Sequence, residues 1–216
     1  PPEIAVRFQE TTGVLVTQGY GLTETAPITH SNPLDRVKVG SIGIPVPDTE
    51  QRIVDIETGM RDLPVGETGE LIVRGPQVMR GYWQHPEETA QVLRDGWLYT
   101  GDIARLDEEG YAYIVDRKKE MIKYKGYGIG PAELEAVLFE HPAVADCAVV
   151  GLPDATAGEI PQAFVVLRPG ARASADELMH FVARRVAPYK KVRAVEFVAA
   201  IPRSPSGKIL RRVLKG

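Results

Sequence analysis

Apolar positions in the first half of the chain predict mostly short strands. From Gly40 to Asp116, runs such as RIVDI and ELIVRG are separated by turn-like segments that contain glycine, which is typical of a β-rich region. The segment IARLDEEGYAYIVD has two apolar runs around a polar turn and predicts a hairpin. HPEETAQVL predicts a short helix with Pro86 in its first turn. Ahead of this region, helical spacing in IAVRFQETTG predicts a helix ending near Gly13, and VLVT predicts a strand.

The second half of the chain alternates between helical and extended patterns. PAELEAVLFEHP has helical spacing, and VADCAVVGL, QAFVVLRPG and VRAVEFV are typical of strands. SADELMHFVARRVAP predicts a helix with a capping box at Ser174 and Glu177. We therefore predict an α/β (α+β) chain of two domains, residues 1–118 and residues 119–216.

Composition favours a cytoplasmic protein without a transmembrane segment. Hydrophobic residues make up 44% and charged residues 25% of the 216 residues, which is ordinary for a globular chain. No apolar run approaches the roughly 18 residues of a membrane span, and PPEIAVRFQE does not resemble a signal peptide. The single cysteine, Cys147, lies in an apolar run, so we expect a buried side chain and no internal disulfide. The four histidines lack metal-ligand spacing.

Charge is distributed unevenly between the two halves. Residues 1–118 have 11 Lys and Arg against 19 Asp and Glu, a net charge of -8. Residues 119–216 have 15 against 10, a net charge of +5. The second half therefore suits a small polyanion such as a nucleotide. It has no dense basic stripe with aromatic residues between, so nucleic acid is not an expected partner.

The stretch QGYGLTET combines flexible backbone with groups that suit a nucleotide. Gly19 and Gly21 flank Tyr20, so the backbone can bend closely around a ligand while the ring offers a flat face. Thr23 and Glu24 add a hydroxyl for a phosphate oxygen and a carboxylate for a hard cation such as Mg²⁺. Taken alone, the stretch is also typical of an ordinary glycine-rich turn.

Three further stretches place charged groups in turn-rich surroundings. In WLYTGDIA, Asp102 can accept hydrogen bonds from both hydroxyls of a ribose, although turn aspartates are common. In DRKKEMIKYKGYGIGPAELE, Arg117 offers a planar donor fork, and Lys119, Lys123 and Lys125 offer point charges. A solvated basic hairpin is the alternative there. PRSPSGKILRR places one lysine after a glycine, and its alternative is a solvated loop.

The joint order of these stretches closely resembles the adenylate-forming superfamily. That superfamily includes acyl-CoA synthetases, 4-coumarate-CoA ligases, firefly luciferase and the adenylation domains of peptide synthetases. The matching stretches are GYGLTE, GELIVRGPQVMRGYW, WLYTGD, DRKKEMIKYKGYGIGPAELE and PSGK, and they extend over nearly the whole chain. The resemblance implies that residues 1–118 are the β-rich, C-terminal part of a large N-terminal domain. Residues 119–216 would be a small, mobile α+β domain with a catalytic lysine loop.

The resemblance also implies roles at matching positions. The implied cofactor-binding residues are Tyr20, Gly21, Thr23, Asp102, Arg117, Lys125 and Gly126. Tyr20 would stack on adenine, Thr23 would contact the α-phosphate, and Glu24 would help to hold Mg²⁺. Asp102 would bind the ribose hydroxyls with Arg117 close by.

The implied catalytic residues are Lys208, Lys123, Thr23 and Glu24. Lys208 would bridge the substrate carboxylate and the phosphates during adenylation. Lys123 and the KYKGYG turn would face the active site in the second half-reaction. Lys119 would be the hinge between the two domains.

The implied activity is the ATP-dependent ligation of a fatty or aryl carboxylic acid to coenzyme A. The acid's carboxylate attacks the α-phosphate of ATP, pyrophosphate leaves, and a thiol then displaces AMP from the acyl-adenylate. The substrate supplies the nucleophile, so the protein needs to position groups and neutralise charge. The expected cofactors are ATP/AMP, Mg²⁺ and CoA. The expected partners are the acid, the N-terminal region of the same enzyme and a second copy in a homodimer.

Two departures from the family pattern modify these expectations. Family members are usually more than twice this length and carry a Ser/Thr/Gly-rich phosphate loop well upstream of the GYGLTE segment. This chain has no such loop, so we expect a truncated portion of a ligase that is inactive alone. Gly128 stands where many coumarate-ligase and luciferase relatives have glutamine, which weakens the aryl-acid interpretation.

Three alternatives stay open at this point. A dinucleotide-binding protein is disfavoured, because GYGIGP has the spacing G-x-G-x-G and follows a charged run. A peptide-synthetase adenylation domain would load a carrier protein instead of CoA. A non-catalytic fragment would bind a nucleotide or a protein partner only.

Overall fold

The chain forms two compact units, and the computed structural model divides them between Lys118 and Lys119. Residues 2–205 and 207–215 are described by the structure. Ser206 of the PRSPSGKILRR motif lies outside the described residues. The assignment of the two units to a large domain and a mobile domain stays a prediction. Within the described ranges, none of the helices has both the length and the apolar character needed to span a bilayer.

The described part of the first unit contains two β-sheets and two α-helices. Its helices are α1 (Pro2–Thr12) and α2 (Pro86–Val92), and a 3-10 helix covers Thr23–Thr25. One antiparallel sheet contains β1 (Gly19–Tyr20), β2 (His30–Ser31) and β3 (Ile44–Pro45) in that order. The other contains β4 (Glu50–Val54), β5 (Gly69–Arg74), β6 (Leu93–Arg94), β7 (Trp97–Leu106) and β8 (Ala112–Arg117). Its order is β4-β5-β7-β6, and β8 also pairs with β7.

The apolar residues of the second sheet form the core of this unit. The buried core residues are Ile53, Leu71, Val73, Leu98 and Ala104. Tyr20 and Leu22, from the GYGLTE segment, pack against this cluster. Burial of their apolar surface stabilises the position of that segment beside the sheet.

The described part of the second unit has one sheet and three α-helices. Its strands are β9 (Ile122–Tyr124), β10 (Tyr127–Ile129), β11 (Val144–Asp154), β12 (Gly158–Leu167) and β13 (Ala194–Phe197). The order is β10-β9-β12-β11, and β13 pairs with β12 in parallel. The helices are α3 (Pro131–Phe139), α4 (Ala175–Ala183) and α5 (Arg211–Leu214). Lys118–Glu120 and Pro188–Lys190 form 3-10 turns.

Side chains of strand β11 belong to core clusters on both faces of this sheet. Successive side chains of a strand point to opposite faces. Cys147 and Val149 belong to the cluster that includes residues of α3 and α4. Ala148 and Val150 belong to a second cluster that includes Leu214 from the C-terminal segment. The continuous apolar run VADCAVVGL is therefore a strand that is buried on both sides.

Most element predictions are confirmed, and the mixed α/β class is correct. The predicted capping box is present in part, since Ser174 Oγ accepts a hydrogen bond from Glu177 N at 3.1 Å. The strand predicted at VLVT is wrong, because residues 14–17 pair with no described strand and Val14 is 56% exposed. The helix predicted from SADELMHFVARRVAP is shorter than its pattern and ends at Ala183.

Candidate functional site

Three of the predicted site residues meet at one end of the second sheet in the first unit. Tyr20 Oη donates a hydrogen bond of 2.6 Å to Asp102 Oδ2. Arg117 Nε lies 3.3 Å from Asp102 Oδ1. Asp102 and Arg117 are also register partners on β7 and β8, so the sheet itself holds this pair together. Asp102 is a strand residue and not the turn residue of the alternative interpretation.

Asp102 is a buried carboxylate with acceptor capacity left for a ligand. Its side chain is 6% exposed, whereas that of Arg117 is 45% exposed. A carboxylate offers about four lone-pair sites, and Tyr20 and Arg117 use one on each oxygen. Two neighbouring hydroxyl groups can therefore donate to the remaining sites, which is the recognition that a ribose requires.

Tyr20 is held from several sides. Burial raises the pKa of its phenol, and the nearby Asp102 carboxylate raises it further. The ring meets His30 edge to face with 5.9 Å between centroids. His30 is buried and pairs through Nε2 with Gln51 Oε1 at 2.8 Å, and burial lowers its pKa. A neutral His30 that donates from Nε2 fits this contact. The ring of Tyr20 is thus fixed in orientation before any ligand arrives.

The 3-10 turn after Tyr20 presents Thr23 and Glu24. Thr23 is exposed and Glu24 is partly exposed. Tyr82 Oη donates a 2.8 Å hydrogen bond to Glu24 Oε1, and this bond raises the pKa of Tyr82. Met79 N donates to Glu24 O at 2.8 Å, so the segment before α2 binds this turn at two points.

Glu24 is suited to bind an Mg²⁺ ion whose other ligands include phosphate oxygens of a nucleotide. The described residues contain no cluster of three or more His, Cys, Asp or Glu side chains that would enclose a metal ion. Mg²⁺ commonly takes one or two carboxylates and completes its shell with phosphate oxygens and water. One partly exposed carboxylate, oriented by Tyr82, meets that requirement.

Gly21 acts through close packing. A Cβ atom at this position would lie 1.5 Å from the carbonyl oxygen of Pro27. Glycine is therefore required where the chain folds back on itself between Tyr20 and the following loop. The structure gives this residue a role in shaping the turn.

The other predicted residues lie in the second unit at separate places. Lys123 and Lys125 are exposed at the end of the β9–β10 hairpin, which turns at Lys125 and Gly126. Lys123 N donates to Glu159 Oε2 at 2.8 Å, and Lys125 N donates to Ala157 O at 2.8 Å. These bonds hold the hairpin backbone and leave its two lysine side chains exposed.

Lys208 lies exposed on a loop that is closed by its own backbone. Ser204 N donates to Lys208 O at 2.8 Å, and Lys208 N donates to Ser204 Oγ at 3.1 Å. Arg203 and Ile209 form an isolated antiparallel bridge around this loop. The turn-forming residues of the motif thus present a single exposed lysine from a defined base.

Arg211 is a residue that the motifs did not single out. Its Nη2 donates to both carboxylate oxygens of Glu135 at 2.8 Å, and its Nη1 pairs with Glu120. Glu135 is 8% exposed and also accepts from Val149 N at 2.8 Å. Arg211 therefore ties the chain three residues after Lys208 to the core. The sequence signal was the acid in PAELEA, which falls among the apolar positions of α3.

Lys119 begins the second unit within the 3-10 turn that follows β8. It lines a cleft of about 360 Å³ in that unit. Lining residues from the C-terminal segment include Ile209, Leu210, Arg212 and Lys215. The hinge role of Lys119 stays a prediction.

Comparison with known proteins identifies related sequences along the whole chain. The family model described as AMP-binding enzyme matches residues 1–83, and that described as AMP-binding enzyme C-terminal domain matches residues 133–208. A long-chain-fatty-acid–CoA ligase of Bacillus subtilis is 51% identical over 215 residues, which are 99% of this chain and 38% of that protein. A 4-coumarate–CoA ligase-like protein of Arabidopsis thaliana is 48% identical over 216 residues, again 38% of its length.

Solved structures give the same relationship. The crystal structure of ATP-bound MatB from Rhodopseudomonas palustris matches with a TM-score of 0.92 and 36% identity, over 99% of this chain and 42% of that one. The chain thus spans about two fifths of the length of the relatives that it matches. The two family models describe two parts of one type of enzyme and match this chain in the expected order, and the fold matches a solved structure of that type. The chain belongs to the adenylate-forming superfamily of AMP-binding enzymes.

Proposed function

We propose that this chain provides the ribose site and the catalytic lysine of an ATP-dependent carboxylic acid–CoA ligase. The observation that carries the proposal is the buried Asp102, which is held by Tyr20 and Arg117 and has acceptor sites left for two hydroxyls. The relatives named as CoA ligases support the same reaction class. The relatives act on different acids by name, so fatty and aryl acids are both proposed substrates.

In the first half-reaction, an oxygen of the acid's carboxylate attacks the α-phosphorus of ATP. The bond to pyrophosphate breaks, and pyrophosphate leaves with the electron pair. Asp102 accepts from the ribose hydroxyls, the Tyr20 ring lies along the adenine, and Thr23 donates to an α-phosphate oxygen. Glu24 would hold the Mg²⁺ ion, whose charge stabilises the phosphates when it is bound. Lys208 adds a cation between the carboxylate and the phosphates.

In the second half-reaction, the thiol of CoA gives up its proton to water, its sulfur attacks the acyl carbon, and AMP leaves with the electron pair. We assign the exposed hairpin lysines, Lys123 and Lys125, to this step. They are two exposed cations on a different segment of the second unit from the loop that carries Lys208. An exchange of these two surfaces about Lys119 would bring each to the nucleotide in turn.

Nucleotide binding to the chain tests the ribose site directly. We expect AMP to shift the amide NMR signals around Tyr20 and Asp102, and Asp102→Asn to weaken binding about tenfold or more, because a hydrogen bond to a charged group is lost. Asp35→Asn, an exposed aspartate of the same unit, is the matched control and should bind as the original chain does. AMP affinity that is equal in the two variants would contradict the proposed site.

Activity is tested by grafting the chain onto a relative. The chain replaces the matching 215 residues of the Bacillus subtilis ligase, and ATP–pyrophosphate exchange and acyl-CoA formation are measured. We expect Lys208→Ala to lower exchange at least a hundredfold, while Arg172→Ala, an exposed control in the same unit, has no effect. An active graft whose exchange does not depend on Lys208 would rule out its catalytic role.

A further inference from the structure

Strand β7 leaves its regular pairing at the residue that matters most to the site. On the β5 side, Glu70 pairs with Ile103 and Ile72 pairs with Tyr99. Between these pairs β5 has one residue, whereas β7 has Thr100, Gly101 and Asp102. Gly101 has a positive φ of 72°, which glycine adopts without strain. A bulge of this kind redirects a side chain, and here the redirected residue is Asp102.

Side chains take the place of the missing ladder hydrogen bonds. Gly101 N donates to Glu70 Oε1 at 3.2 Å. Asp102 N donates to Thr100 Oγ1 at 3.1 Å, and that hydroxyl donates to Leu71 O at 2.7 Å. The backbone on both sides of the Gly101–Asp102 peptide is therefore fixed by Glu70 and Thr100.

The second oxygen of Glu70 connects the bulge to strand β8. Lys118 Nζ donates to Glu70 Oε2 at 2.6 Å. The Glu70 side chain is 4% exposed, and that of Lys118 is 38% exposed. Lys118 directly follows Arg117, which pairs with Asp102. One buried carboxylate thus contacts the residue before Asp102 and the residue after Arg117.

We infer that Glu70 is the positioning residue of the ribose site and that Lys118 is its counter-ion. Glu70 is buried, and its two carboxylate oxygens accept from Gly101 N and Lys118 Nζ. It holds the bulge that aims Asp102, and its bond to Lys118 fixes the strand end that carries Arg117. The inference rests on the proposed function, because the ribose role of Asp102 is itself proposed.

A carboxylate is suited to this position because both of its oxygens act as acceptors. Gly101 N–H needs an acceptor in place of a ladder carbonyl, and the Lys118 ammonium needs one with charge. Glutamine keeps one acceptor for Gly101 and removes the charge that pairs with Lys118. Alanine removes both the acceptor and the charge. A comparison of glutamate, glutamine and alanine at this position therefore separates the hydrogen bond to Gly101 from the ion pair with Lys118.

The test compares AMP with 2′-deoxy-AMP on the same chain by NMR titration. The ratio of the two affinities reports how well Asp102 meets both hydroxyls, and a ratio is insensitive to the fraction of folded protein. We expect the original chain to prefer AMP about tenfold, since one hydrogen bond to a charged group is at stake. Glu70→Ala should bring the ratio close to one. Glu70→Gln should keep most of the preference for AMP over 2′-deoxy-AMP, and Lys118→Met should give a preference between those of the original chain and Glu70→Ala.

Amide hydrogen exchange of Gly101 provides a second measurement that needs no ligand. We expect exchange at Gly101 to become at least tenfold faster in Glu70→Ala and to stay slow in Glu70→Gln. Glu67→Gln, an exposed glutamate at the turn before β5, is the control and should change neither exchange nor the ratio. If Glu70→Ala fails to fold, Lys118→Met and Glu70→Gln still test the inference.

The outcomes separate the inference from the proposed function. A chain that binds AMP and 2′-deoxy-AMP equally, or neither, contradicts the ribose site and the inference with it. A chain that prefers AMP, with the same ratio in Glu70→Ala and Lys118→Met, overturns the inference alone. Loss of the ratio in Glu70→Ala with rescue by Glu70→Gln supports both.

Discussion

At the scale of single residues, the contact between Tyr20 and Asp102 links the fold to the proposed chemistry. A buried carboxylate requires partners, and Tyr20 Oη at 2.6 Å is one of them. Arg117 is the other, and it supplies a charge from a partly exposed position. The same contacts that compensate for burial also leave the carboxylate in one orientation. Stability and the proposed ligand recognition therefore depend on the same atoms.

This contact predicts a specific response to alkaline pH. The pKa of Tyr20 is raised above its ordinary 10.0, first by burial and then by Asp102. The folded chain therefore keeps a proton that the unfolded chain releases above about pH 10. Its contribution to stability is fully present below pH 10 and is lost as pH rises further, by up to about 1.4 kcal/mol per pH unit.

Urea unfolding at several pH values measures this effect. We expect the unfolding transition of the first unit to be less stable in Tyr20→Phe at pH 7 by about 1–3 kcal/mol, because Asp102 loses a donor. Between pH 10 and pH 11, however, the variant should lose less stability than the original chain. Tyr99→Phe removes a phenol that donates to the Gly59 carbonyl and is the matched control. Parallel alkaline slopes for the original chain and Tyr20→Phe would contradict the prediction.

At the scale of elements, the β9–β10 hairpin has an unusual residue in its turn. The register pairs Tyr124 with Tyr127, which leaves Lys125 and Gly126 as a two-residue loop. Their φ values are 49° and 83°. Two positive φ values are the signature of a type I′ turn, which favours Asn-Gly or Asp-Gly. Lysine at the first position carries a backbone cost, so its side chain has a reason to be there beyond the turn.

Two neighbouring substitutions in this turn should have opposite effects on stability. Lys125→Asn places a residue that tolerates positive φ and should stabilise the second unit by about 0.5–1 kcal/mol. Gly126→Ala introduces a Cβ at a φ of 83° and should destabilise it by about 1 kcal/mol or more. Thermal unfolding of both variants measures these two changes in the stability of the second unit. In the active graft, Lys125→Asn should also slow thioester formation if its ammonium acts in the second half-reaction.

Two outcomes would contradict the predicted effects of these substitutions in the hairpin turn. If Lys125→Asn lowers stability, the side-chain contacts of Lys125 outweigh its backbone strain. Lys125 Nζ lies 5.7 Å from the centroid of the Tyr124 ring, which is the contact that would then be responsible. If Gly126→Ala is neutral, the turn is not of the I′ type in solution.

At the scale of the whole molecule, each unit has its own hydrophobic core. The first has the cluster around Leu71 and Leu98, and the second has the cluster around Leu134, Leu138 and Val165. Each cluster draws its buried residues from one unit. Independent cores allow independent unfolding, so a single free energy of unfolding does not describe the chain.

Calorimetry of two core variants tests this independence. Leu138→Ala in the second unit should destabilise one thermal transition by about 2–5 kcal/mol and leave the other in place. Leu71→Ala in the first unit is the matched variant and should act on the other transition. Both leucines have no exposed surface, so the two truncations create similar cavities. A single transition that both variants lower equally would show that the chain unfolds as one cooperative body.

The sequence predicts elements and motifs better than it predicts their connections. Period-2 and helical patterns lead to most strands and helices, and the motifs lead to Tyr20 and Asp102. The VLVT run fails because a strand needs a partner, and its apolar pattern does not say where the partner is. Glu70 was not predicted because its role depends on a bulge in another strand, 30 residues further along the chain. Pairing register is not visible in a single sequence.

The burial of Asp102 has a thermodynamic consequence for ligand binding. Water is removed from this carboxylate when the chain folds, not when a nucleotide arrives. A sugar with two hydroxyls then gives up its own hydration to an acceptor that has already lost most of its water. Because the desolvation cost was incurred on folding, a sugar with one hydroxyl forgoes the whole second hydrogen bond, without a compensating bond from water to that acceptor. We therefore expect the proposed site to prefer ribose over deoxyribose because of the way in which the chain folds around Asp102.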